Sequence, residues 1–279
     1  MSHPFHAWLD KSHFGLELGP SHRPVAAKRN GYNVRVLDHL NREQLIAKYE
    51  QHGVDLNVIE EVDYVWNGEP YRQLVGDGVY FDWIVASHLI EHTPDMISFL
   101  LDCAEIVTAD GFVALTVPDK RYCFDRYRPR TSLASIIDAH QSNRKIHSVG
   151  TAAEYFLNVV SRGGHIAWDP THDGQYAFVH TSEEARNAMQ VIAEQGAYLD
   201  LHAWVFTPSS FRLVIEDLYI LGLSPFRESS FKNTTGHEFH IQLSRSGDGP
   251  GLSRYELLKQ IDAEEEAVLN GPLTSSSCA

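Results

Sequence analysis

The stretch FGLELGPSHRPVAAKRNGYNVRVLD (residues 14–38) decides the fold. Two short apolar runs, at residues 15–18 and 34–37, predict buried strands, and Gly19 predicts a turn directly after the first run. The residues around 25–29 predict a short helix that ends at an Asn-Gly pair. The stretch therefore predicts strand, turn, helix and strand, which is the opening unit of a parallel α/β sheet.

An acidic residue follows the second predicted strand. Asp38 lies about 20 residues beyond the glycine turn, where ribose-binding α/β proteins place a carboxylate that accepts hydrogen bonds from both ribose hydroxyls. Gly19 has no Cβ, so the backbone can approach a ligand closely. The dinucleotide fingerprint has three glycines where this stretch has one, and Pro24 has no N–H to offer a phosphate. A nucleoside without phosphates fits better, and S-adenosyl-L-methionine is the common one. A βαβ unit without a ligand is the alternative.

Three further segments extend the predicted sheet. VIEEVDYVW (residues 58–66) predicts a strand with Asp63 near its end, where an adenine amino group needs an acceptor. FDWIVA (81–86) and FVALTV (112–117) are near-continuous apolar runs, typical of buried parallel strands, and Ser87 follows the first of them. Ligands in such sheets bind at the carboxyl ends of the strands. The residues predicted at those ends are Gly19, Asp38, Asp63, Ser87 and Pro118.

The pattern predicts a Rossmann-like, doubly wound α/β sheet, mostly parallel, with a mostly helical insertion. Residues 14–118 form the first part of the core, and residues 119–206 do not continue the strand-helix alternation, so we expect them to form a helical cap that contacts substrate. Residues 207–245 return to the core as a well-capped helix and an antiparallel hairpin. Residues 246–279 are expected to form an acidic helix and a disordered tail.

Composition limits the classes of function. The chain has 279 residues and a formal net charge of −14, so a broad contact with a phosphate backbone is not expected. No apolar run approaches the ~18 residues of a membrane span, and no signal peptide is visible at the start. Three cysteines without metal or disulfide spacing favour the reducing cytoplasm. Whether the chain forms a homodimer is left open.

Four motifs carry a resemblance to a known family. ELGPSHRP (residues 17–24) resembles the E-x-G-P-S variant of the first motif of class I S-adenosylmethionine-dependent methyltransferases. FDWIVASHLIEHTPD (81–95) resembles their fourth-strand motif, in which S-x-x-x-E-H-x-x-D is common. VPDKRYCFDRYRP (117–129) and HAWVFTPSSF (202–211) are similar to a bacterial subset associated with glycan and cell-envelope gene sets. The single glycine of the first motif departs from the family pattern.

The resemblance implies a fold, a cofactor and a reaction. It implies methyl transfer from S-adenosyl-L-methionine to a small polar acceptor, with a hydroxyl of a sugar or glycan intermediate as the expected substrate. The first motif and Asp38 would hold the methionine and ribose parts, Asp63 would reach the adenine, and the residues after the fourth strand would line the floor. The implied cofactor-binding residues are Glu17, Gly19, Pro20, Asp38, Asp63, Ser87 and His88.

The expected catalytic base is His165, in the loop RGGHIAWDPTHDGQ (residues 162–175), because an imidazole titrates near neutral pH and Asp169 and His172 are close enough to orient it. His88 is the second candidate. For both, a histidine hydrogen-bonded within its loop is the alternative. His165, Asp169 and His172 also have ligand types suited to a divalent ion, but no metal is assigned.

Three side chains of the insertion are expected to contact substrate. Arg121 can bind a phosphate or carboxylate, and Tyr122 and Trp168 can stack on a sugar ring. Packing within the insertion is the alternative for the aromatic pair, and a solvated basic surface is the alternative for Arg121. The alternative for the whole protein is a non-catalytic module with the same fold that binds a partner in a glycan-assembly complex. The missing glycines argue against a nicotinamide oxidoreductase.

Overall fold

A computed structural model describes residues 4–269, with side chains described as far as residue 266. The predicted disordered tail, TSSSCA at residues 274–279, lies outside the described residues. The strands are β1 (Gly15–Leu18), β2 (Val34–Asp38), β3 (Tyr64–Val65), β4 (Phe81–Ser87), β5 (Val107–Pro118), β6 (Val160–Arg162), β7 (Tyr176–Phe178), β8 (Arg227–Thr235) and β9 (Glu238–Ser244). The helices are α1 (Arg42–Tyr49), α2 (Tyr71–Val75), α3 (Met96–Ile106), α4 (Leu133–Gln141), α5 (Val149–Asn158), α6 (Ser182–Gln195), α7 (Pro208–Ile220) and α8 (Arg254–Leu269).

One sheet of seven strands has the order β3-β2-β1-β4-β5-β9-β8. The first five positions are parallel, with β1 between β2 and β4, so the order reverses direction at β1. β9 runs antiparallel to β5 and pairs with β8 as a hairpin. The prediction of a doubly wound, mostly parallel sheet that ends in an antiparallel hairpin is confirmed. Its switch point between β1 and β4 is where such sheets bind ligands.

The helices that build the main core lie on one face of the sheet. Leu16, Ile84 and Leu115 project from three neighbouring strands into this core. Helices α2, α3, α4 and α7 cover them, with Leu100 and Phe211 among the fully buried side chains. Alternate residues of a strand point to opposite faces, so the residues next to Leu16, Ile84 and Leu115 on each strand point to the other face of the sheet.

The second face is covered mainly by irregular chain. Trp83 and Val85 of β4 pack there against Phe5 and Leu9 from the N-terminal segment and against Val25 from the β1–β2 connection. That connection contains only a three-residue 3₁₀ turn, Lys28–Asn30, so the short helix predicted around residues 25–29 is wrong. Proline before this segment, together with side-chain hydrogen bonds to its backbone, holds it extended instead of helical.

The third strand is much shorter than the predicted segment 58–66. Residues Leu56–Val58 form a 3₁₀ turn, whose first free N–H, that of Asn57, is bound by the Asp55 side chain. Only Tyr64–Val65 pairs with β2, as expected of an edge strand with one neighbour. The shortening moves Asp63 from the predicted end of the strand to the position just before it.

Residues 119–206 contain α4, α5, α6 and the small β6–β7 hairpin. Asp119 and Phe206 form a bridge where this segment leaves the sheet and returns to it. Helices α5 and α6 share a separate apolar cluster built on Ala152, Ala188 and Ile192. Within residues 4–269, none of the helices combines the length and the apolar character that crossing a bilayer requires.

Candidate functional site

The turn after β1 brings the chain to the switch point of the sheet. Gly19 has a φ of +60°, a conformation in which glycine has no steric cost. Its N–H donates to the Leu37 carbonyl, 2.8 Å away, which ties the turn to β2. A Cβ at this position would lie 2.4 Å from Cδ1 of Leu89. The Leu89 side chain therefore rests against the glycine from the loop after β4, and Pro20 continues the turn at the surface.

Glu17 supports this turn from inside the protein. Its carboxylate accepts hydrogen bonds from the N–H groups of Val25 and Ala26, at 2.6 and 3.0 Å, and it is buried. Burial disfavours the charged form more than these hydrogen bonds favour it, and raises the pKa of Glu17 to about 7. Glu17 fixes the β1–β2 connection in this structure, so the expectation that it contacts the methionine part of a cofactor stays a prediction.

Asp38 lies at the carboxyl end of β2, as predicted, and its carboxylate is engaged by the protein. Ser21 N–H donates to Oδ2 at 2.9 Å. The N–H of His39 donates to Oδ1 at 2.8 Å, and the Nδ1 atom of the same residue lies 2.6 Å from Oδ1. The Asp38 side chain is completely buried beneath these groups. A ribose can reach the carboxylate only after the side chain of His39 or the turn at Ser21 moves.

Asp63 does not lie where the sequence placed it. It comes just before β3, and its carboxylate accepts hydrogen bonds from Lys28 Nζ at 2.6 Å, from Arg35 Nη1 at 3.0 Å and from the backbone of Val36. In the parallel register of β2 and β3, Tyr64 lies opposite Leu37, so Asp63 is level with Val36, two residues before the carboxyl end of β2. Asp63 therefore links two strands through ion pairs, and this geometry does not support an adenine contact.

Ser87 ends β4, and His88 follows it with a φ of +50°, which is uncommon for a residue with a side chain. His88 Nε2 lies 2.6 Å from Glu238 Oε2, and Nδ1 lies 3.4 Å from Glu91 Oε1. Burial would lower the pKa of His88, but the hydrogen bond to Glu238 and the nearby Glu91 outweigh it and raise the pKa to about 10. His88 is then protonated at neutral pH and cannot accept a proton, which argues against it as the base.

His165 lies on an exposed turn of the β6–β7 hairpin, bridged through its backbone to Arg162. Its ring is 5.0 Å from that of His172, whose Nε2 is 3.1 Å from the Arg162 carbonyl. Asp169 caps the neighbouring turn at Thr171. In the described part of the chain, the side chains of His165, Asp169 and His172 do not come close enough to form a metal-ligand cluster. The role of His165 as base stays a prediction.

The predicted substrate contacts lie where the insertion begins. Trp168 is buried, and its backbone N–H donates to the Tyr122 carbonyl at 2.9 Å, so the hairpin loop and this segment are joined. Arg121 makes a bidentate ion pair with Asp119, with Nη2 to Oδ2 at 2.6 Å and Nε to Oδ1 at 2.9 Å. A substrate anion would compete with Asp119 for this guanidinium. Tyr122 is half-buried beside it.

A buried cluster that the sequence did not predict lies behind the loop after β4. Glu91, His92 and His202 each have one possible ligand atom within 4.8 Å of the others. A second group, of His88, His237 and Glu238, has the same spacing, but its carboxylate is already bound by His88. Glu91 and His92 are adjacent to each other, but His202 is far away in sequence. Only the return of the insertion to the sheet brings these side chains together, so no local pattern could have found them.

The residues at the β1–β4 edge fit a ribose-containing cofactor after side-chain rotation. Asp38 Oδ2 accepts one hydrogen bond, and a carboxylate oxygen can accept two, so acceptor capacity remains. The side chain of His39 is nearly half exposed and Leu89 is half-buried, so each can adopt another rotamer without movement of the sheet. The donor and acceptor set at this edge therefore fits an adenosyl group better than a pyrophosphate.

A polar cleft of about 360 Å³ lies away from this edge. It is lined by residues 129–132 and by side chains of α4 and α5, including Arg144 and Glu154. None of the residues predicted to bind cofactor or substrate lines it. This cleft therefore does not coincide with the switch point of the sheet.

No protein-family model and no curated protein matches this sequence. Solved structures of similar shape include a SAM-dependent methyltransferase from Methanosarcina mazei, with 12% identity, 88% of this chain and 99% of that chain covered, and a TM-score of 0.43. The CcbJ methyltransferase from Streptomyces caelestis has 12% identity, 86% of each chain covered and a TM-score of 0.44. A SAM-dependent methyltransferase from Aquifex aeolicus has 12% identity, 84% and 83% coverage and a TM-score of 0.39.

These similarities are too weak to support an argument about the site. What defines the class of fold is the strand order, in which five parallel strands are followed by an antiparallel hairpin inserted beside β5. That arrangement is a Rossmann-like fold with an antiparallel hairpin at one edge of the sheet. A fold alone does not establish an activity, because function depends on the site it carries.

Proposed function

We propose that the protein is an S-adenosylmethionine-dependent methyltransferase of the cytoplasm. The observation that supports this most directly is the position of Asp38, a buried carboxylate at the end of β2 beside the Gly19 turn and the reversal of strand order. In this proposal Asp38 holds the ribose through its free acceptor capacity, and the Gly19 backbone lies against the methionine part of the cofactor. The cofactor supplies an electrophilic methyl group.

The proposed acceptor is a hydroxyl of a sugar or glycan intermediate. Tyr122 is half-buried where the insertion meets the sheet, and its ring can give a flat surface for a sugar. Trp168 is buried against Tyr176 and is hydrogen-bonded through its backbone to Tyr122, so it supports that segment from behind. Arg121 supplies a positive charge beside them for an anionic group of the substrate, in competition with Asp119. His165 is proposed to remove the hydroxyl proton, because the raised pKa of His88 leaves that residue protonated.

We test the proposal by transfer of a labelled methyl group from S-adenosylmethionine to a panel of nucleotide sugars and free glycans. The wild type is expected to methylate at least one of them. His165→Ala is expected to lower the rate by about 10²–10⁴-fold, the usual contribution of a general base. His13→Ala is the control, because it removes an exposed imidazole that has no part in the proposed mechanism. Equal rates for the wild type and His165→Ala would remove His165 from the mechanism.

The second candidate is a binding module that keeps the fold without catalysis. Two contacts favour it: Leu89 rests against Gly19, and Ser21 and His39 both hydrogen-bond the Asp38 carboxylate. If these contacts are permanent, no adenosyl group can enter. This candidate requires that the wild type binds neither S-adenosylmethionine nor its product and methylates nothing in the panel.

A further inference from the structure

Glu91 is a buried carboxylate without a hydrogen bond. The residue is 0% exposed, and neither Oε1 nor Oε2 accepts a hydrogen bond of good geometry. The nearest ring nitrogens are His88 Nδ1 at 3.4 Å and His202 Nε2 at 3.9 Å from Oε1. A buried carboxylate needs close cationic or hydrogen-bonding partners, and the protonated imidazole of His88, 3.4 Å away, is the nearest one. Because neither oxygen of Glu91 has a hydrogen bond of good geometry, the group can take a closer cation.

Two histidines lie beside Glu91, and each has a ring nitrogen close to another carboxylate. His202 is buried, and its Nδ1 lies 2.5 Å from Asp125 Oδ2, which leaves Nε2 on the side of Glu91. His92 Nδ1 lies 2.9 Å from Asp200 Oδ1. A carboxylate on the far side of a histidine fixes its tautomer and orientation, as in the second shell of many metal sites. Asp125 is itself held by Arg128, with Nη1 to Oδ1 at 2.8 Å.

The two chain segments that carry these side chains are fastened together. The N–H groups of Ala203 and Trp204 both donate to the Glu91 carbonyl, at 2.7 and 3.2 Å. The Trp204 indole N–H donates to the Thr93 carbonyl at 2.7 Å. The ligand atoms are within 4.8 Å of one another, whereas tetrahedral zinc with bonds near 2.0–2.2 Å holds its ligands about 3.4 Å apart. Binding of an ion therefore requires the three side chains to rotate toward one another.

We propose that Glu91, His92 and His202 bind one Zn²⁺ ion. Two imidazoles and one carboxylate are a common ligand set of zinc with an open fourth position, and imidazoles disfavour Mg²⁺ and Ca²⁺. The ion neutralises the buried Glu91 and links the end of the insertion, through His202, to the loop after β4. This site is independent of the proposed methyl transfer, because none of its three ligands is assigned to cofactor or acceptor.

The test measures metal binding directly. The full-length protein is stripped with a chelator and titrated with Co²⁺, which shows visible d–d absorption when nitrogen and oxygen ligands hold it tetrahedrally, and Zn²⁺ affinity is then obtained by displacement. The wild type is expected to bind one equivalent and to melt at a higher temperature with Zn²⁺. Glu91→Gln keeps the side-chain shape and is expected to weaken Zn²⁺ binding by at least about 10-fold.

His172→Ala is the matched control, because it removes an imidazole outside the cluster and should leave the binding unchanged. A stripped wild type that shows no Co²⁺ absorption overturns the proposal without reference to any variant. The proposal is also overturned if the Glu91→Gln variant folds, as judged by circular dichroism, and binds Zn²⁺ as tightly as the wild type. If His172→Ala weakens Zn²⁺ binding as much as Glu91→Gln does, the ion does not bind at the proposed cluster, and the proposal is wrong.

Discussion

The buried carboxylates of Glu17 and Asp38, both near the β1 turn, differ in their hydrogen bonds and therefore in their roles. Glu17 receives two N–H groups from a single segment, the β1–β2 connection, and so fixes its path. Asp38 receives groups from two places, the turn at Ser21 and the neighbouring His39, and keeps unused acceptor capacity on Oδ2. Glu17 is therefore the structural residue of the pair, and Asp38 is the one that can serve a ligand.

The raised pKa of Glu17 makes stability depend on pH. The pKa is about 7 in the folded protein and has an ordinary value of 4.5 in the unfolded chain, so the folded state binds the extra proton between these values. The stability contributed by Glu17 is therefore present at low pH and lost as pH rises toward and through 7. Between pH 5 and 8 the free energy of unfolding of the wild type should fall by about 3 kcal/mol relative to Glu17→Gln.

Urea unfolding of both proteins at the two pH values measures this difference. Glu61→Gln is the control, because the side chain of Glu61 is 78% exposed and should give no such change. A difference between wild type and Glu17→Gln that stays the same at pH 5 and pH 8 would mean that Glu17 has an ordinary pKa in the folded protein.

At the scale of elements, the sheet face without a long helix depends on close packing of strands and irregular chain. Gly15 of β1 lies beside Trp83 of β4, and a Cβ there would be 2.2 Å from the indole ring. The indole is fully buried among Phe5, Val25 and their neighbours. Glycine at this position lets a tryptophan occupy the space that a helix fills in other doubly wound sheets.

Gly15→Ala should therefore destabilise the protein by about 3 kcal/mol, near the upper end of the usual cost of overpacking, because the fully buried ring cannot move aside. Thermal and urea unfolding measure the effect. Gly150→Ala in α5 is the matched control, since its Cβ would meet only Ser148 Oγ at 3.8 Å. Alanine is the better helix former, so the control should be neutral or more stable by up to about 1 kcal/mol. Equal effects at both positions would contradict the packing described for Trp83.

At the scale of the whole molecule, the sequence predicts the strands and helix ends that a local pattern of residues determines. Apolar runs located β1, β2, β4 and β5, and Thr181 and Glu184, in the spacing typical of a capping box, form one at the start of α6. The β1–β2 helix was wrong because a distant strand residue, Glu17, captures its first N–H groups. Asp63 was misplaced because edge pairing, not apolar alternation, decides where β3 begins.

The cluster around Glu91 shows the limit of local pattern most clearly. Glu91 and His92 belong to a motif read as part of the cofactor site, whereas His202 lies in the segment that leads into α7. Asp125, which orients His202, comes from a third part of the chain. Side chains from three separate segments meet only after the insertion has folded back, so their proximity has no signature in any one stretch.

The central claim is that an adenosyl cofactor binds at the carboxyl ends of β1 and β2. Titration calorimetry with S-adenosylhomocysteine tests it most directly, on the wild type and on Asp38→Asn, with Asp63→Asn as a control that removes a carboxylate already paired with Lys28 and Arg35. The wild type should bind with a dissociation constant on the order of 1 μM, and loss of charged hydrogen bonds should weaken binding about 10–100-fold in Asp38→Asn. Asp63→Asn should bind like the wild type. No measurable heat with the wild type, or equal weakening in both variants, would contradict the claim.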